Sequence, residues 1–188
     1  MATATKPDRL PFTGNDDADT LIASDPFALL VGIALDQQVP TPTAFSGPLK
    51  LKQRFGTLAP AELAASDPAR LEAVFREKPA IHRFPGNMAR RVHELAAIVT
   101  ERYDGDAARL WTQASSPDDL RERIAELPGF GDMKVKLLGA ILEKRFGVAQ
   151  AKGLGPDHIT LGDVDSTEAL EQYQAAKRER KARIRAGG

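Results

Sequence analysis

The sequence predicts an all-α fold, a compact helical array of two small lobes flanking a cleft. Three observations predict it. Met88, Val92, Leu95, Ala96, Val99 and Tyr103 recur at helical spacing, the i, i+4, i+7 stripe of a helix packed on a core. Proline stands at the expected first turn of several helices, as at Pro26, Pro68 and Pro117, where its missing N–H costs no hydrogen bond. No alternating apolar runs pair convincingly as strands, and there is no internal repeat.

Residues 1 to 18 are polar, with Pro, Gly and Asp, and read as a flexible arm. Pro26 to Val39 is apolar nearly all round, so this helix is expected to be buried, with Pro40 and Pro42 ending it. Thr43 to Phe55 reads as a helix interrupted at Gly47-Pro48. Pro60 to Ala65 is a short helix, and Ser66 is expected to cap another from Pro68 to Glu77. A connector, Lys78 to Gly86, leads to a long helix from Asn87 to Tyr103. Asp106 to Trp111 is a short helix. Ser116 reads as an N-cap, with Pro117 as the first helical residue and Asp119 as the reciprocal capping-box partner. Leu127-Pro128-Gly129-Phe130-Gly131 follows, and a second helix opens at Asp132. Val148 to Gly162, with Gly153, Gly155 and Pro156, is loop. Asp165 or Ser166 caps a last helix from Thr167 to about Arg183. The body is therefore residues 19 to 176, with 177 to 188 as a basic tail.

At 188 residues the chain has ample length for a core. It contains no Cys, which excludes disulfides and a cysteine-ligated iron–sulfur cluster. His82, His93 and His158 lie far apart without metal-ligand spacing. No stretch approaches the length of a membrane span, and the N-terminus lacks an apolar signal core. The expectation is a cytoplasmic protein, a monomer, with no membrane partner. The net charge is zero. Six of the 26 basic residues and one of the 26 acidic residues fall in 177 to 188, which leaves the body at −5. An acidic body with a basic tail implies that any binding to a polyanion is modest and salt-sensitive.

The hairpin pentapeptide carries the most information. Its two glycines permit a tight turn closed to other residues. A turn that opens directly into a helix points free backbone N–H groups outward. Such a turn can hold a phosphate without reading sequence. An ordinary helix–loop–helix with a Gly-rich turn explains the pentapeptide equally well on its own.

The arrangement resembles the helix-hairpin-helix of the base-excision DNA glycosylases, the HhH-GPD superfamily that includes endonuclease III and the 3-methyladenine glycosylases. Two further stretches support the resemblance. Asp25 to Val39 is similar to the family's buried helix, which ends in a glutamine near DNA. Phe84-Pro85-Gly86-Asn87-Met88-Ala89-Arg90-Arg91-Val92 is similar to its basic helix start. The three matches fall in the family's order over roughly residues 25 to 150, as in a small bacterial branch of it.

The resemblance implies a partner, duplex DNA with a damaged base, and a set of site residues. Leu127, Gly129, Phe130, Gly131, Met133 and Lys134 would form the hairpin interface, with the amides of Gly129, Gly131 and Met133 on phosphate. The carbonyls of Ala125, Leu127 and Phe130 would hold a monovalent cation, and no other cofactor is expected. Gln37 would fill the gap left by an extruded base, and Gln38 could substitute. Arg83 and Arg90, with His82 and Arg91 beside them, are candidate phosphate contacts. Phe84, Tyr103 and Trp111 are candidates for stacking on a base, against the general tendency of aromatics to be core.

The chemistry would need a carboxylate near the sugar to stabilise positive charge as the glycosidic bond breaks. The family's register for it falls on Ala151 here, a departure. The nearest candidates are Asp157, Asp163 and Asp165. Asp163 is favoured, since Asp157 reads as a turn residue and Asp165 as a cap. Some relatives use a Lys just past the hairpin as a Schiff-base nucleophile. That position is Met133, and Lys134 projects about 100° further round the helix. The expected activity is base excision by a monofunctional glycosylase using water. The alternatives are a DNA-binding module that keeps the hairpin without the chemistry, and a protein–protein scaffold. Asp132, at the start of the second helix, would compete with a phosphate there.

Overall fold

The structure, a computed structural model, describes residues 6 to 188. Among these residues it is all-helical, with ten α-helices and two 3-10 turns. These are α1 (Asp16–Ser24), α2 (Pro26–Leu35), α3 (Thr41–Phe55), α4 (Pro60–Ala65), α5 (Pro68–Arg76), α6 (Pro85–Tyr103), α7 (Arg109–Thr112), α8 (Pro117–Ala125), α9 (Asp132–Phe146) and α10 (Thr167–Ala186). The 3-10 turns, Ala149–Ala151 and Leu161–Asp163, lie between α9 and α10. No single helix among the described residues is long and apolar enough to cross a membrane.

α2 is the axis of the molecule. Asp25 caps it, its carboxylate accepting the N–H groups of Phe27 and Ala28 at 2.9 and 3.2 Å. Every residue from Phe27 to Leu35 is buried, as the apolar run predicts. α2 packs against α1, α3, α6 and α9. The buried apolar residues form one connected cluster from Leu10 to Tyr173, so the regions on either side of α2 share a core.

The expected arm differs from the structure. Residues 1 to 5 lie outside the described residues. Beyond them, Leu10 and Phe12 are fully buried, and Phe12 meets Phe45 edge-on at 5.2 Å. Two buried apolar side chains anchor a segment whose composition is otherwise polar. α1 follows, with Asn15 accepting from the amide of Ala18 and three aspartates in its first turn, where their charge suits the helix dipole.

Three helix boundaries also differ. α2 stops at Leu35, not Val39, because side chains from elsewhere take its last carbonyls, as described below. α3 runs unbroken through Pro48. Its face of Ala44, Phe45, Gly47, Pro48, Leu51 and Phe55 is buried, and that burial offsets the hydrogen bond a proline removes. α5 is capped by Asp67, which accepts the Ala69 N–H at 2.9 Å, while Ser66 donates back to the Leu63 carbonyl. The stripe on α6 is buried as expected, against α4 and α5.

Candidate nucleic-acid interface

α8 leads into the hairpin. Ser116 caps it by accepting the Asp119 N–H at 3.1 Å. Asp119 does not return to Ser116 but reaches one residue further, to the amide of Ser115 at 2.7 Å and to Arg123. The Arg123 guanidinium and the Ser115 amide hold this carboxyl down to about 2. The Phe130 amide then donates to the Leu127 carbonyl at 3.1 Å and closes the turn. Gly129 sits at φ +73, in the left-handed region, and a Cβ there would strike the Arg91 guanidinium. Leu127 and Phe130 are 3 and 4 % exposed, so both side chains belong to the core. Only their main chain can meet a ligand. The Leu127 carbonyl keeps a second lone pair after accepting Phe130, which leaves it able to share a cation with the carbonyls of Ala125 and Phe130.

Gly131 is the N-cap of α9 and brings no side chain to its first amides. Nothing lies within 4 Å of the place its Cβ would occupy. The first turn of a 15-residue helix is thus open to an anion. Asp132 interferes less than its position suggests, because its carboxylate pairs with Lys136 one turn on, at 2.9 Å. Met133 is 84 % exposed.

The second part of the surface is the turn after α2, residues 36 to 38. Nε2 of His82 lies 3.1 Å from both the Leu35 and the Gln37 carbonyls. Its Nδ1 accepts the Phe84 N–H at 3.0 Å, so the proton resides on Nε2, which donates to the two carbonyls. Burial holds His82 below the usual imidazole range, and at 2 % exposure it cannot reach a phosphate. Its role is to shape the turn. Lys134 donates to the Ala34 carbonyl at 3.1 Å. Burial, and then the nearby Arg91, push its amine down to about 8.

Arg91 joins the two parts. Its guanidinium lies beside Gly129 and donates to Oε1 of Gln37 at 2.7 Å. Gln38 follows at φ 57, a left-handed backbone rare for a residue with a side chain. A cavity beside this turn is lined by Gln37, Gln38, Phe84, Asn87, Arg90 and Arg91, among others. The structure thus brings Gln37, Gln38 and Arg90 to one cavity and ties that cavity to the hairpin through Arg91. Arg83 is exposed, its guanidinium 5.0 Å from the centre of the Phe84 ring. Phe84 is 36 % exposed, with the His82 ring also 5.9 Å from its own, whereas Tyr103 and Trp111 are each 6 % exposed and are core.

The structure places Asp163 away from this surface. Its carboxylate accepts the amide and hydroxyl of Thr160, at 2.8 and 3.0 Å, and pairs with Lys144 at 2.7 Å. Thr160 in turn accepts the Gly162 N–H, completing a capping box around the second 3-10 turn. Gly162 packs so closely on α9 that a Cβ would strike the Ala140 carbonyl. Lys144 lies twelve residues past Asp132 on α9, about 18 Å along the axis. The loop is held to the far flank of α9 by that contact, which local sequence does not signal. Asp157 and Asp165 are exposed, and Ser166 rather than Asp165 caps α10, accepting the Ala169 N–H at 3.1 Å.

Asp163→Asn is therefore expected to cost about 1 kcal/mol of stability, as for a lost cap. Burial alone would raise this carboxyl, but the bonds from Lys144 and Thr160 outweigh it and hold it below its ordinary value. A depressed carboxyl stabilises the fold above its unfolded pKa and loses that effect as pH falls through the folded one. The difference between wild type and variant in urea unfolding should therefore be full above about pH 4 and shrink as pH falls below it. A difference that does not shrink at all as pH is taken down from neutral to well below about pH 4 would contradict the capping role.

Local reading missed how the turn at 36 to 38 is held. Its partners, His82, Arg91, Lys134 and Lys177, come from three other helices and a connector. They meet only in the folded chain.

A family model described as HhH-GPD superfamily base excision DNA repair protein matches residues 31–186. No curated protein and no solved structure matches the chain.

Proposed function

Because this chain belongs to the HhH-GPD superfamily of base excision DNA repair proteins, we propose that it is a monofunctional DNA glycosylase, removing a damaged base from duplex DNA with water as the nucleophile. The observation that carries the reading is the uncapped first turn of α9, tied by Arg91 to the glutamine turn of α2. A phosphate would sit on the amides of Gly129, Gly131 and Met133, with a monovalent cation on the carbonyls of Ala125, Leu127 and Phe130 behind it. Arg83 and Arg90 would take flanking phosphates. Gln37 is held by Arg91, so Gln38, strained and exposed at the tip, is the better placed to enter the gap left by an extruded base.

The absence of a lyase step in this reading rests on Met133, in the register of the nucleophilic lysine of other family members, and on the tether of Lys134 to Ala34. One observation favours the opposite: an amine at about 8 is partly unprotonated near neutrality and could form an imine. A panel of duplexes with one lesion each, assayed for abasic sites with and without alkali, tests the reading. Strand breaks are expected only after alkali. Borohydride during turnover should trap no protein–DNA adduct, and an adduct abolished by Lys134→Met would move the assignment to a lyase. DNA binding without excision on any lesion would leave a binding module.

A further inference from the structure

Asp36 is a carboxylate in a position that stability does not explain. It follows the last residue of α2, where the helix dipole disfavours negative charge. Its side chain is 6 % exposed. A buried carboxylate ordinarily has its oxygens satisfied by several close donors. Among the described residues the one donor is Nζ of Lys177, at 3.4 Å, which it shares with the Thr41 hydroxyl at the same distance. Lys134 and Tyr173 also face Asp36. Burial first, and then the Asp36 charge, raise the Tyr173 phenol.

The position has functional geometry. Asp36 immediately precedes Gln37 and Gln38. The turn therefore offers glutamines to the cavity beside α6 and a carboxylate to Lys134 of α9 and Lys177 of α10. The carboxylate and both glutamines thus share one three-residue turn. Lys177, which covers Asp36, is weakly held. α10 buries only Leu170 and Tyr173, and the lysine is 27 % exposed at the start of a run of basic residues.

We propose that Asp36 is the catalytic carboxylate of this chain, facing the sugar of the extruded nucleotide, with Lys177 covering it until DNA phosphates draw the lysine away. The inference rests on the base-excision reading above. As the glycosidic bond lengthens, its electron pair leaves with the base and the sugar becomes cationic. The uncovered carboxylate stabilises that charge, water adds at the anomeric carbon, and its proton passes to solvent.

The test needs no knowledge of the damaged base. One duplex carries a tetrahydrofuran abasic site, and a second carries a protonated pyrrolidine in its place, a mimic of the cationic sugar. The ratio of their affinities cancels the phosphate contacts common to both. Wild type is expected to prefer the pyrrolidine by on the order of tenfold, the scale of a partly desolvated charge pair. Asp36→Asn should bring the ratio close to one, and Asp36→Ser should do the same should the Asn variant fold poorly. Asp163→Asn should keep the wild-type ratio, and Lys177→Gln should keep or raise it. A wild type that binds both duplexes equally, a ratio unchanged in Asp36→Asn, or a ratio lost in Asp163→Asn overturns the proposal. A wild type that binds the tetrahydrofuran duplex no better than unmodified DNA would instead overturn the base-excision reading beneath it.

Discussion

Deleting residues 178 to 188 is expected to make DNA binding markedly less salt-dependent. The segment carries Arg178, Arg180, Lys181, Arg183 and Arg185, and it is no loose tail but the continuation of α10 to Ala186. A rigid helix cannot present all five charges to one polyanion. At 100° per residue, Arg178, Lys181 and Arg185 fall within one stripe, while Arg180 and Arg183 face away from it. Each phosphate neutralised contributes about 0.9 to the slope of log affinity against log salt. Three contacts give a loss of slope of about 2 to 3, against about 4 to 5 for a disordered tail using every charge. The truncation spares Lys177 and so leaves the pair with Asp36 in place. Specificity should not change, because close-spaced cations without an aromatic among them suit phosphates rather than bases. A salt titration of wild type and truncated protein checks this. An unchanged slope would make the end of α10 a solvated helix and nothing more.

What could be read from the sequence follows from how locally each feature is encoded. The helices of the hairpin pair, the stripe on α6 and the buried α2 were legible because each rests on residues within one or two turns of each other. The arm misread its own composition, because Leu10 and Phe12 are two apolar residues in a polar stretch and their burial is decided by Phe45, far along the chain. The hairpin turn was legible through its glycines, Gly129 at φ +73 and Gly131 at the N-cap of α9. The placement of the loop that carries Asp163 was not. Asp163 sits in a convincing local position, between a loop and a helix, yet the close approach of Gly162 to Ala140 holds that loop to the flank of α9. Asp36 is a lone acid just ahead of the glutamine pair. Its surroundings are supplied by Lys134 and Lys177, roughly 100 and 140 residues away, spacings at which no periodic pattern operates.

Gly131→Ala is expected to separate DNA binding from folding. The backbone at Gly131 has φ −78 and an open space where a Cβ would stand, so alanine fits without strain. The cost to the fold is that of a poorer N-cap, at most about 1 kcal/mol. The same Cβ would project at the uncapped first turn of α9, where a phosphate must approach within hydrogen-bond distance of the amides. Losing one charge-assisted hydrogen bond there costs about 1.5–3 kcal/mol, roughly a tenfold to hundredfold loss of affinity. Gly129→Ala acts in the opposite order. Its φ of +73 and the collision with Arg91 strain the hairpin itself, and a displaced Arg91 loses its bond to Gln37. That variant should unfold earlier in urea than Gly131→Ala and also weaken binding, so its affinity alone decides nothing. Urea unfolding beside titration of a fluorescent duplex distinguishes the two. Wild-type affinity in a folded Gly131→Ala protein would mean that the hairpin amides do not hold the DNA backbone, and the phosphate contacts would then have to come from Arg83, Arg90 and α10.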